Sequence, residues 1–228
     1  MDFDPSPYPG YTPYLCAAIA CAALGTIVAT VGGRPRGVYV LKPLTTLLIV
    51  ALAWQMPGGL RLYGPLVLAG LAFSLAGDVF LMLPRDRFVA GLVSFLIAHL
   101  VYVGAFMDAA SRPAGYVPAG VRFTGWVLVL FVLYAAVLLR ILLPHLPRKL
   151  KVPVIVYAAA LLVMAWQAAE RGVAGAPGGA LATAGGVLFV ASDSALALDR
   201  FRGRFPAAQP LILGTYFLAQ TLIALSIR

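Results

Sequence analysis

The chain has 228 residues, 62% of them hydrophobic and only 11% charged, with a formal net charge of +9 at pH 7. Its mean hydropathy of +0.94 exceeds what a soluble core can hide from water, so a globular soluble domain is excluded and an integral membrane protein is expected. The positive charge does not indicate a nucleic-acid partner, because the basic residues are distributed by loop, as membrane topology requires.

Apolar runs near the roughly 20 residues that a spanning helix needs lie at 13–31, 38–54, 63–83, 88–108, 124–143, 152–169, 179–198 and 207–227. The predicted fold is all-α, a polytopic bundle of eight transmembrane helices forming one domain over 1–228. The opening "MDFDPSPYPGYTPY" has no basic stretch before its first apolar run, so no signal peptide is expected to be removed. Cys16 and Cys21, five residues apart in the first helix, are directed too differently to bridge and are read as packing residues. Helix two opens on "KP" (42–43). Its Lys42 either snorkels to the interface or pairs with a site carboxylate or a substrate phosphate.

Helix three carries "FSLAGDVFLML" (73–83), which sets Asp78 one turn after Ser74 on the same face. Helix four presents Phe88, Gly91, Phe95, His99, Tyr102 and Phe106 as a stripe at helical spacing. His99 is either a core residue bonded to other helices or a member of a polar site. Helix six opens on a basic residue and Pro153, and "GVAGAPGG" (172–179) before helix seven reads as a loop, without the Lys of a phosphate-binding motif. Helix seven holds Asp193 between Ser192 and Ser194, and helix eight offers Tyr216 and Gln220.

Twelve of the seventeen Lys and Arg residues fall in or beside alternate connections: Arg34, Arg36, Lys42, Arg85, Arg87, Arg140, Arg148, Lys149, Lys151, Arg200, Arg202 and Arg204. By the positive-inside rule these connections are cytoplasmic and both termini are not. The runs "PRKLK" (147–151) and "DRFRGRF" (199–205) are thus topogenic, with lipid headgroups as a second use. The expected location is a bacterial inner (plasma) membrane.

The chain also resembles itself. "FSLAGDVFLML" (73–83) lies on "FVASDSALAL" (189–198), "FLIAHLVY" (95–102) on "YFLAQTLI" (216–223), and "LKPLTTLLIVALAW" (41–54) on "LKVPVIVYAAALLVMAW" (150–166). The offset of four spans predicts a parallel 4 + 4 repeat with halves at about 13–108 and 124–227, helices three and four facing seven and eight.

A charge near the middle of a spanning helix costs about 2.5–3.5 kcal/mol on insertion scales, so two intramembrane carboxylates imply use. Asp78 and Asp193 each stand five residues before the basic end of their helix, roughly 7–8 Å inside the same leaflet. A facing pair is expected, with the serines supplying short donors and Lys42, His99, Tyr102, Tyr216 and Gln220 completing a polar seam. Two close carboxyls in low dielectric cannot readily both ionise, so one is expected to hold a proton, giving an acid and a base together. Metal hydrolysis is disfavoured, because zinc takes several His or Cys ligands and the membrane core offers one histidine and no usable cysteine. Serine nucleophile chemistry lacks its elbow motif. The rival reading from another class is a proton-coupled transporter or lipid translocase, which would want breaks inside paired helices and a path to both faces. Pro43 and Pro153, read as helix starts, speak against it.

"KP" (42–43), "GDVFL" (77–81), F-x2-G-x3-F-x3-H-x2-Y from Phe88 to Tyr102, "SD" (192–193) and Y-x3-Q (216–220) together resemble the YhhN-type lysoplasmalogenase family, eight-span membrane enzymes. The resemblance covers nearly the whole chain. It implies hydrolysis of the vinyl-ether bond of lysoplasmalogens to a fatty aldehyde and a glycerophospho-alcohol, on a lysophospholipid substrate among membrane lipids and without a dissociable cofactor. It also implies Asp78 and Asp193 as the catalytic pair. The chemistry agrees with the residues: protonating the β-carbon of a vinyl ether leaves an oxocarbenium ion, a cation of the kind that glycosidases handle with paired carboxyls. The headgroup is expected among the basic loops, with the chain running along the aromatic stripe. Headgroup preference and oligomeric state are not encoded in any motif.

Overall fold

All eight apolar runs become helices in the computed structural model, which describes residues 8–57, 62–84, 87–108 and 120–227, with side chains from 125 onward in the last stretch. Residues 1–7 and Arg85 lie outside the described residues. The helices are α1 (Thr12–Val31), α2 (Pro35–Trp54), α3 (Tyr63–Met82), α4 (Phe88–Met107), α5 (Gly120–Leu142), α6 (Arg148–Val173), α7 (Gly179–Ala197) and α8 (Ala208–Leu225). Each is long and apolar enough to cross a membrane, and the protein is an integral multi-pass membrane protein. Cys16 and Cys21 are free thiols.

Helix ends depart from the apolar runs where basic residues extend them. Proline at the first helical position lacks only an N–H that would have no partner anyway, so α2 begins at Pro35; α6 begins at Arg148, with Pro147 as the residue before it. Pro43 and Pro153 therefore lie inside continuous helices, not at helix starts. This corrects one premise used against a transporter. At the far end of α7 the helix continues beyond 198 into a π-helical turn, Leu198–Arg202.

Helix neighbours trace a ring: α1 against α2, α2 against α3, α3 against α4, α4 against α6, α6 against α7, α7 against α8, and α8 back against α1. α8 also leans inward onto α2 and α3, whereas α5 sits outside the ring, packed on α6 and the π turn. Small residues set the closest approach, as expected where lipid tails are as apolar as leucine. A Cβ at Gly70 would stand 2.3 Å from the Tyr102 ring, and one at Gly77 would stand 2.6 Å from that of Phe95. Glycine at both positions brings α4 close enough to hold these rings against α3. The centre is then filled by Val67, Leu71, Phe106, Phe189, Phe217 and Ile223, all at most 2% exposed.

This packing closes most of the α4 stripe. Tyr102 stacks on Phe106, Phe95 meets Phe189 and Tyr216 edge-on, and His99, Tyr102 and Phe106 are wholly buried. The stripe is a packed spine beyond Phe95, and the expected lipid track along it is corrected: ring-to-ring contact leaves that face no room for a chain.

Candidate active site

Near the basic end the ring opens into a cavity of about 710 Å³. Asp78 reaches it from α3 with its side chain 1% exposed, held from three sides. Lys42 and Thr46, one turn apart on the same face of α2, bind the two carboxylate oxygens separately: Lys42 Nζ lies 3.1 Å from Oδ1, and the Thr46 hydroxyl donates to Oδ2 at 2.8 Å. From α8 the Tyr216 hydroxyl donates to the same Oδ2 at 2.7 Å. A carboxylate surrounded by an ammonium group and two hydroxyl donors is arranged as an anion.

Behind Tyr216 the polar chain continues inward. Gln220 Nε2 donates to the Tyr216 oxygen at 3.4 Å, and the Tyr102 hydroxyl donates to Gln220 Oε1 at 2.7 Å. Tyr102, Gln220 and Tyr216, from two helices, thus form one buried line ending on Asp78. Of the two alternatives for Lys42, the structure shows a carboxylate pair.

Asp193 reaches the same cavity from α7 with different company. The Tyr157 hydroxyl of α6 donates to its Oδ2 in a short hydrogen bond. His99 Nε2 stands 4.0 Å from that oxygen, beyond hydrogen-bond reach. The imidazole is wholly buried and packs edge-on against Tyr157 and Phe189, with centroids 5.1 and 4.8 Å away.

The carboxyls share one cavity, and each is held by its own donors. One sequence expectation is corrected: the serines are not those donors. Ser192 donates to the Ile212 carbonyl at 3.0 Å and ties α7 to α8, Ser194 caps the Val190 carbonyl at 2.7 Å, and the buried Ser74 hydroxyl makes no hydrogen bond to Asp78. A hydroxyl so close to its own helix is readily taken by a backbone carbonyl. Thr46 and Tyr157, absent from the sequence reading, take that place. Ser192 still lines the cavity.

The cavity rim is basic. Arg200 and Arg204 line it with Asp199 and Gln209, and the Arg200 guanidinium lies 4.0 Å over the Phe88 ring. The π turn makes this arrangement, carrying Phe201 edge-on to Phe88 at 5.5 Å. Among the described residues no three His, Cys, Asp or Glu side chains are grouped to hold a metal ion.

A sequence profile of the YhhN family matches residues 37–227, which includes every residue lining the cavity. The chain belongs to the YhhN family. Among its relatives, the lysoplasmalogenase TMEM86B of Homo sapiens is 35% identical over 188 residues, 82% of this chain and 73% of the relative. The lysoplasmalogenase TMEM86A of Bos taurus is 35% identical over 165 residues, 70% of this chain, which spans 64% of that relative's length. The membrane protein YhhN of Escherichia coli O157:H7 is 33% identical over 92% of this chain and 96% of its own length. No solved structure is significantly similar to this YhhN-family chain.

Proposed function

We propose that the protein hydrolyses the vinyl-ether bond of a lysoplasmalogen, releasing a fatty aldehyde and a glycerophospho-alcohol, with Asp193 as proton donor and Asp78 as a fixed anion. The observation that carries this reading is the asymmetry of the two carboxyls on one cavity: Asp78 is paired with Lys42 and accepts two further hydrogen bonds, whereas Asp193 has one hydroxyl donor and, among the described residues, no ammonium or guanidinium partner. The names of the animal relatives supply the reaction class.

In the first step the Asp193 proton moves to the β-carbon, the double-bond electrons form the new C–H bond, and the positive charge is shared between the α-carbon and the ether oxygen. Asp78, preorganised in a low-dielectric site, offsets that charge without reorganising. Water then adds to the α-carbon and returns a proton to Asp193. The hemiacetal collapses as its hydroxyl proton passes to the departing glycerol oxygen, and one water has been consumed. Lys42, Arg200 and Arg204 match a phosphate headgroup in charge. The expected membrane placement puts this rim at the cytoplasmic surface, with both termini on the other side. We read the two halves as repeat-related, each acid receiving a hydroxyl from the helix preceding it, Thr46 for Asp78 and Tyr157 for Asp193.

A transporter would need the polar line to continue outward without a break, whereas beyond Tyr102 the Phe106 ring intervenes, stacked on Tyr102 and packed on Tyr63, before a second buried polar group of Tyr63, Ser226 and Arg171 begins. Purified protein incubated with lysoplasmenyl and lysoacyl lipids is expected to release free aldehyde from the first, detected by mass spectrometry, and no fatty acid from the second. Fatty acid from the lysoacyl lipid with no aldehyde from the lysoplasmenyl one would remove the proposal.

A further inference from the structure

The polar cavity does not end at Asp193. Leu81, Phe88, Phe95, Asp193, Leu196 and Phe201 line both the cavity and a second, almost wholly apolar space of about 70 Å³ bounded by α4, α5, α6 and the end of α7. A further apolar space of about 30 Å³ between α5, α6 and α7 continues this shallow groove outward, sharing Leu138, Leu139, Ala158, Leu161 and Ser194 with it and reaching Ala135 and Tyr134. From Leu142 to Tyr134 the track follows α5 for eight residues, about 12 Å along the helix. α5 packs on α6 and the π turn and, among the described residues, makes no extended contact to α4, so the side of the groove between α4 and α5 opens to the outside of the bundle. Asp193 and the Tyr157 hydroxyl are thus set where a polar chamber passes into an apolar one.

We propose that this groove is the binding track for the single hydrocarbon chain of the lysolipid, which enters sideways between α4 and α5, and that Ala135, Leu138 and Ala158 set which chains are accepted. The assignment rests on the vinyl-ether reading. That bond lies where headgroup and chain meet, and of the six residues that the basic chamber shares with the apolar track Asp193 alone is polar. A chain in the track holds its first carbons against Phe95 and Leu196 and places the vinyl ether at the Asp193 carboxyl. The aromatic spine of α4, filled by its own ring contacts, forms one wall instead of a channel.

The experiment has two arms. In the first, a non-cleavable 1-O-alkyl lysophosphocholine carrying a diazirine at mid-chain is photolysed with the wild-type protein in bilayer nanodiscs, and the adducts are mapped by peptide mass spectrometry. Adducts on α5 and α6 between 135 and 161, suppressed by excess unlabelled lysolipid, are expected; competable adducts elsewhere, or none, would overturn the track. In the second, Ala135→Trp fills the outer part of the groove and is expected to lower the ratio of long-chain to short-chain kcat/KM about tenfold, the loss of burying roughly two methylenes. An unchanged ratio in a folded variant would also overturn it. The two readings fail separately. Groove labelling without cleavage of any vinyl ether removes the reaction and keeps the track, whereas aldehyde release with labelling elsewhere removes the track and keeps the reaction.

Discussion

Asp193→Asn is expected to lower kcat on a lysoplasmenyl lipid on the order of 10³-fold, the scale of removing a positioned general acid. The substitution is nearly isosteric, and the Tyr157 hydroxyl still finds an oxygen to which it can donate. What is lost is the transferable proton. Binding of a non-cleavable alkyl-ether lysolipid is therefore expected to persist, with thermal stability in detergent within a few degrees of the wild type. Activity within tenfold of the wild type would remove Asp193 from the proton-transfer step.

Lys42 and Asp78 predict a different signature, because their side chains are only 12% and 1% exposed. Removing one partner of a buried ion pair leaves the other uncompensated, at a cost of about 3–5 kcal/mol. Lys42→Met is expected to lose that much stability and most of its activity, since Asp78 then holds a negative charge against two hydroxyls alone. Pairing Lys42→Met with Asp78→Asn removes both charges, and stability is expected to return toward the wild type. Activity is not, because the anion that offsets the oxocarbenium charge is gone. Thermal melts beside turnover rates of the two single variants and the double variant separate these effects. Recovery of activity in the double variant would show that Asp78 serves folding alone.

Much of this was legible in the chain. Eight apolar runs gave helix ends within a few residues wherever apolar sequence and helix stop together, as in α3 and α4. They diverge in α2 and α6, where hydropathy starts at the first apolar residue while the helix starts earlier among basic residues. Asp78 and Asp193 stood out because intramembrane acids are costly, and the line from Tyr102 through Gln220 to Tyr216 follows from helical spacing on two helices.

Thr46 and Tyr157 were not singled out, since a threonine or tyrosine in an apolar helix is usually a packing residue that bonds its own backbone. A signal existed. Thr46 is one turn from Lys42, and aligning 41–54 with 150–166 on their prolines brings Thr46 and Tyr157 within one position of each other. The groove beside α5 was invisible for another reason: it depends on α5 standing outside the ring, a packing choice that hydropathy does not record. The serines misled because a hydroxyl next to an acid in sequence can still turn back to its own helix.

The central claim is that a proton delivered from one fixed side chain of the cavity opens the vinyl ether. Turnover of a lysoplasmenyl lipid in D₂O, with the aldehyde reduced as it forms, tests this directly. The account predicts one deuterium at C2 of the product in a single configuration, because Asp193 addresses one face of the double bond. Product without deuterium at C2, or an equal mixture of both configurations, would contradict it.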